Sequence, residues 1–335
     1  MIKTKENLKP FKTLRTQLKI LRGRGLKVPA DGKPMRALER IGYYTLINGY
    51  KTLFLTRDTK GNVIHPEVFI KESSFDEILA LYHFDKELRA ILYTALLEYE
   101  TNLGAELAYR FSESFPDENS YLAIDNFNGT NISSIVGTIS SLSNTIKNMA
   151  SVKKNQQNAI KHYVNKHGHV PLWVLVNFLT FGELNYFYRN CQDNVQVAIA
   201  KDFSSHLRRE YSKKYATSIT PETINAINHL ANHFRNAVAH NEITYSKRLS
   251  KSPDLRSIKN ILSLPVPLSS QAGIFELVMS LKIVLPKKDY LILSKALLKL
   301  LDNYKKHFHS VNFNAILQDM NFPLNYKEFL AVTSS

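Results

Sequence analysis

Arg235 and His240 stand five positions apart, with Asn236 directly after the arginine. Histidine exchanges protons near neutral pH, and arginine holds a phosphate through two parallel hydrogen bonds. Together they can cleave RNA without a metal ion, the arginine bearing the negative charge that builds on phosphorus. The spacing alone is a weak signal, although it occurs once in the chain. Its weight comes from Asn236 and from the element that carries all three residues. The competing reading is a packing histidine beside a surface arginine.

That element has a well-marked start. Thr220-Pro221-Glu222 supplies a cap, a proline at the first helical position and an acid in the first turn. Ile224, Ile227, Ala231, Phe234 and Val238 then follow at steps of three and four, which makes one apolar stripe. At 100° per residue, Asn236 and His240 fall roughly opposite that stripe and Arg235 flanks it. The rest of the polar side is Asn225, Asn228, His229, Asn232 and His233. A solvated helix face normally shows Lys and Glu, so amides and imidazoles point to a groove or to an interface with a ligand or second subunit. His229 and His233 have the spacing of two metal ligands, but Leu230 occupies the place of the glutamate that a zinc protease needs. No metal and no cofactor are expected. His162, His167, His169, His307 and His309 sit among lysines and read as basic surface.

The net charge of +15 says what such a surface would attract. Residues 1–60 hold 15 Lys and Arg against 4 acids, and residues 201–260 hold 11 against 5, while residues 61–130 hold 4 against 13. Positive potential concentrated in this way draws phosphate backbones and gives fast, salt-sensitive association. A merely solubilising surface is the alternative. A membrane surface fits less well, because no helix pairs a basic face with an exposed Trp or Phe face. The longest strongly apolar stretch, residues 172–181, is far too short to span a bilayer, and the lysine-rich start lacks the apolar region of a secretory signal. The single cysteine, Cys191, leaves no disulfide framework or multi-cysteine zinc site. The expected compartment is the cytoplasm. No Walker motif supports nucleotide hydrolysis.

Helical periodicity dominates the rest. A first helix is expected over Phe11 to Arg24, with Leu14, Leu18 and Leu21 inside, and a second from Pro34, with Leu38, Ile41 and Tyr44 inside. The candidate RNA contacts here are Lys12, Arg15, Lys19, Arg22, Arg24, Lys27, Arg36 and Arg40, with Tyr43 and Tyr44 as stacking surfaces. Arg208, Arg209, Lys213 and Lys214 add a second basic cluster. Thr52 to Ile70 reads as a β-hairpin turning near Asp58 to Asn62. Ser74-Phe75-Asp76-Glu77 is a capping box, and the helix behind it continues toward Pro116. Ile132, Ile135, Ile139, Leu142, Ile146 and Met149 form a further seam, expected to pack within the chain. Pro171 to Arg189 reads as one helix buried on most sides, and two helices separated by Pro286 follow Ala272.

Four blocks in order carry a family resemblance. They are Leu18 to Leu26 with Leu38-Glu39-Arg40-Ile41-Gly42-Tyr43-Tyr44 and Asn48-Gly49-Tyr50; Phe84 to Arg89 with Glu98 and Glu100; Pro171-Leu172-Trp173 with Phe181-Gly182-Glu183-Leu184; and Arg235-Asn236-x-x-Ala239-His240. The chain resembles the Abi-like family of bacterial abortive-infection proteins, the AbiD and AbiF group, whose core is a HEPN domain. The resemblance implies an all-α fold: a HEPN-like helical domain at residues 72–248, a basic N-terminal helical and hairpin region at 1–71, and a C-terminal helical extension at 249–335. It implies metal-independent RNA cleavage to a 2′,3′-cyclic phosphate and a 5′-hydroxyl, with Arg235, Asn236 and His240 as the catalytic set. A part in phage defence and a structured non-coding RNA as partner are also implied. Because such ribonucleases build one site from two motifs, the single motif implies a homodimer through helix 221–241. A non-catalytic protein holding a specific structured RNA is the alternative. The family often continues after the histidine with a basic or aromatic residue and a compact Arg-Leu-Tyr, whereas Asn241-Glu242-Ile243 follows here.

Overall fold

The computed structural model describes residues 10–153, 156–211, 215 and 217–331. The chain is all-α. Its helices are α1 (Leu14–Gly23), α2 (Lys33–Ile41), α3 (Phe75–Ser114), α4 (Ile132–Ala150), α5 (Ala159–His167), α6 (Leu172–Leu175) and α7 (Phe181–Asn190). They continue with α8 (Asp193–Glu210), α9 (Pro221–Ala239), α10 (Arg256–Leu262), α11 (Ile274–Val284), α12 (Lys287–Lys305), α13 (Phe313–Asp319) and α14 (Tyr326–Leu330). No helix among the described residues is long and apolar enough to cross a membrane. Contacts divide the chain into two compact units, one of residues 1–88 with 298–319 and one of residues 89–297 with 320–335.

In the first unit the Thr13 side chain caps α1, and Leu18 and Leu21 are buried as the spacing predicts. Behind α1, the Phe69 N–H donates to the Arg24 carbonyl and the Phe75 N–H to the Lys27 carbonyl, which stitches the loop to the start of α3. The expected hairpin is present in reduced form. Thr52–Phe54 winds as a 3-10 turn, and pairing is limited to isolated bridges at Leu55 with Phe69 and Arg57 with Val63. Pro66 cannot donate to the ladder, and Asp58 closes the tip by accepting from the Lys60 and Asn62 N–H groups. Glu77 completes the capping box at the start of α3 and, from the same carboxylate, accepts from the His309 and Ser310 N–H groups. One buried acid therefore ties the return segment to α3.

In the second unit α7 packs on α4 and α9, and α9 also packs on α8 and α11. Phe111, Phe127 and Phe187 form one aromatic cluster, and Tyr99, Phe181 and Phe203 another. All residues of α11 are buried. The expected single helix over Pro171 to Arg189 is interrupted: Leu179 is extended, and Thr180 opens α7 with a capping box to Glu183. Local capping has overridden the apolar run. Trp173 and Tyr186 in this stretch are exposed. Arg110 of α3 grips Asp202 of α8 with two hydrogen bonds of 2.5 and 2.6 Å. Burial, followed by the Asp202 charge, pushes the neighbouring Glu106 carboxyl up to about 7.

Burial alone would raise the Glu77 pKa, but the bonds from Ser310, His309 and Ser74 outweigh it and hold the carboxyl below its ordinary value. Its contribution to stability is therefore present above the unfolded-state pKa of about 4.3 and lost as pH falls through the lower folded value. Replacing Glu77 with alanine leaves two N–H groups stranded and is expected to destabilise the first unit by about 3 kcal/mol. Hydrogen exchange should show the His309 and Ser310 amides losing protection, and unchanged protection would refute the tie.

Candidate functional site

Helix α9 begins as its sequence dictates. Thr220 accepts from the Thr223 N–H at 3.3 Å, and Pro221 takes the first helical position. Ile224, Ile227, Ala231, Phe234 and Val238 are buried. Its other end is a sharp stop. The Glu242 N–H donates to the Ala237 carbonyl at 2.9 Å, the Asn241 N–H reaches the Val238 carbonyl, and Asn241 itself is left-handed with φ +55°. This is a Schellman closure with asparagine where glycine is usual. It leaves His240 as the helix cap.

His240 and Asn236, one turn apart, are exposed. Arg235 is mostly covered, and its Nε donates to Glu100 Oε2 of α3 at 3.2 Å. Its two terminal nitrogens make no hydrogen bond among the described residues. The guanidinium is thus held from one side by a carboxylate and can still grip a phosphate with the other. After the helix end, Glu242 pairs with Lys247 at 2.7 Å, and Arg89 donates to the Glu242 carbonyl at 3.2 Å. Desolvation first, then His229 and Lys247, holds His233 below the usual imidazole range against the pull of Glu242. The His229 and His233 rings stand 4.8 Å apart. No group of three or more potential metal ligands occurs among the described residues.

One residue of the expected polar side belongs elsewhere. Asn228 is fully buried, and its Oδ1 accepts from the Tyr99 hydroxyl at 2.5 Å. The reason is that α9 is packed over more of its circumference than one stripe suggests, and a buried tyrosine hydroxyl needs an acceptor there. Asn225, His229 and Asn232 are half-buried, whereas His233 is exposed. Glu100 had no role from spacing alone. Its position three residues before the buried Leu103 and four after the buried Leu96 was the available signal, since an acid on an apolar stripe requires a partner.

The basic candidates divide between the two units. Lys12, Arg15, Lys19, Arg22, Arg36, Arg40 and Tyr44 are exposed in the first unit. Arg15, Lys19 and Arg22 share one face of α1. Arg24 is instead held by Glu67 at 2.8 Å, and Lys27 pairs with Glu72. Arg22 donates to the Val28 and Pro29 carbonyls, and Tyr43 is half-buried. Arg208 and Arg209 are exposed in the second unit, while Lys213 and Lys214 lie outside the described residues.

Asn241→Gly should leave stability within about 0.5 kcal/mol of the parent, whereas Asn241→Val should lower it by roughly 1–2 kcal/mol, because a β-branched residue resists the left-handed conformation. Thermal unfolding of both variants measures the difference. Equal stability of the two would mean that this closure does not hold the helix end.

No curated protein and no solved structure matches the chain. Residues 36–246, more than half of its 335, match the family described as Abi-like protein. That span contains Glu100, Arg235, Asn236 and His240. The chain belongs to the Abi-like protein family, which supports a function of the abortive-infection type.

Proposed function

We propose that this protein is a metal-independent endoribonuclease of the HEPN type, acting in the cytoplasm in defence against phage. The observation that carries the reading is the end of α9: an exposed His240 one turn beyond an exposed Asn236, beside an arginine whose Nε is fixed by Glu100. His240 removes the proton from a 2′-hydroxyl or supplies one to the leaving 5′-oxygen. Arg235 stabilises the phosphorane through its terminal nitrogens, and Asn236 orients the histidine or the phosphate. The 2′-oxygen attacks the adjacent phosphorus as the bond to the 5′-oxygen breaks, which yields a 2′,3′-cyclic phosphate and a 5′-hydroxyl. One motif supplies half of such a site, so a second copy of the chain completes it across a two-fold near helix α9. The neutral amide and imidazole groups there avoid the repulsion that like charges would meet at such an axis.

The exposed cations of α1 suit the same substrate, and they equally suit the second reading, a protein that holds a structured non-coding RNA without cutting it. Substituting Lys12, Arg15 and Lys19 with glutamine should weaken RNA binding and reduce the slope of log affinity against log salt by roughly 2 to 3. An unchanged slope would place the RNA elsewhere.

Catalysis is tested by assaying the parent, His240→Ala and Arg235→Ala on RNA in EDTA, with their masses in solution measured alongside. The expected result is a dimer whose cleavage falls at least a hundredfold in either variant, since general acid–base catalysis contributes roughly 10²–10⁴-fold. Cleavage surviving both substitutions would end the assignment. A monomer that binds RNA tightly and never cuts it would favour the second reading.

A further inference from the structure

Helices α3 and α8 meet through ionisable side chains set at helical spacing. Glu106, Arg110 and Glu113 follow one another at steps of four and three on α3, and Asp202, His206 and Glu210 at steps of four on α8. All six lie in the second unit. Arg110 gives Nε and Nη2 to the two oxygens of Asp202 and Nη1 to Glu113 at 2.6 Å. Its hydrogen bonds go to those two acids, and Glu106 receives none of them. Glu106 is instead hydrogen-bonded to Asp202, carboxyl to carboxylate. Two ionised carboxylates have acceptors only, so that bond exists only with a proton on one of the pair. The Arg110 hydrogen bonds hold Asp202 below its ordinary range, which makes Asp202 the acceptor and Glu106 the proton's owner.

The surroundings leave the proton there. The His206 Nδ1 stands 4.0 Å from Glu106 Oε1, beyond hydrogen-bond reach, and its ring is half-buried. Glu106, His206, Arg209 and Glu210 border one cavity of about 210 Å³, whose wall from Ile283 to Pro286 carries no charge. Arg209 is exposed, and the Glu210 carboxylate accepts from the Lys287 N–H. Glu106 keeps 20% of its side chain exposed, so it exchanges protons with solvent while the chain stays folded.

We infer that the proton Glu106 donates to Asp202 is a clasp between α3 and α8, closed while the pair holds it and released when the pair loses it. Without it, a hydrogen bond becomes repulsion between neighbouring carboxylates, and the one guanidinium beside them is already turned to Asp202 and Glu113. Burial, followed by the Asp202 charge, raises Glu106 to about 7, against an unfolded value of about 4.3. The clasp therefore stabilises fully below the unfolded value, weakens as pH rises between the two, and is gone above the folded one. This is opposite in sign to Glu77. Helix α8 packs on α9, so the clasp stands one helix away from the motif, and it does not depend on the RNA reading.

Thermal unfolding of the full chain from about pH 5 to about pH 8, a window that spans the folded value, tests the clasp in the parent, Glu106→Gln and His206→Gln. Glutamine keeps a donor to Asp202 at every pH. Relative to the parent, the melting temperature of Glu106→Gln should gain roughly 3 °C across that range, whatever its offset at the acid end. His206→Gln should keep the parent's dependence. In glutamate-labelled protein, the carbon-13 shift of the Glu106 carboxyl, assigned by its absence from Glu106→Gln, should titrate with a midpoint raised from about 4.3 toward neutrality. This second measurement decides the matter even where the variant folds poorly. A midpoint at the ordinary value would overturn the inference, as would a constant difference between the parent and Glu106→Gln. A pH dependence lost in His206→Gln but kept in Glu106→Gln would assign the proton to the imidazole and overturn it as well.

Discussion

Helix α9 is packed by α7, α8 and α11 and yet carries the motif, so its polar side chains divide between the core and the exposed side. Asn228 takes the first course, accepting from the Tyr99 hydroxyl. Arg235 takes an intermediate one, with its Nε on Glu100. Both partners come from α3. On the proposed reading, an arginine with one side bound to a carboxylate has fewer rotamers to lose when it meets a phosphate. The same carboxylate, left without the arginine, would be a mostly buried and uncompensated charge.

Much of this was legible beforehand, and for identifiable reasons. Thr220-Pro221 and Ser74 to Glu77 are local signals, satisfied by neighbours within one turn, and both open helices where they should. The buried stripe of α9 follows from spacing. What spacing could not supply was the identity of partners distant in the chain. Asn228 looks like a surface amide until Tyr99 is placed against it, and Glu100 looks like one acid among many until Arg235 arrives. The run over Pro171 to Arg189 misled differently: uniform apolarity hid Thr180 and Glu183, whose capping box restarts the helix. Helices as short as α10, α13 and α14 were not anticipated, since segments of this length gain their stability from packing rather than propensity.

The residues after His240, Asn241-Glu242-Ile243, set how the histidine is held. A left-handed residue at Asn241 and the Glu242 N–H on the Ala237 carbonyl end the helix within one residue of the histidine. The chain then turns back so that the Glu242 carbonyl meets Arg89 and its carboxylate meets Lys247. Arg89 is itself almost fully buried, so this return is anchored in the core rather than lying loosely on the surface. A histidine placed in a long helix would have its position set by the helix alone. Here the cap residue is held from both sides, by α9 before it and by the Glu242 anchor after it, while its ring remains exposed. On the proposed reading, a tightly held backbone with an accessible ring is what proton transfer to a bound phosphodiester demands, and Asn241 and Glu242 supply it by geometry.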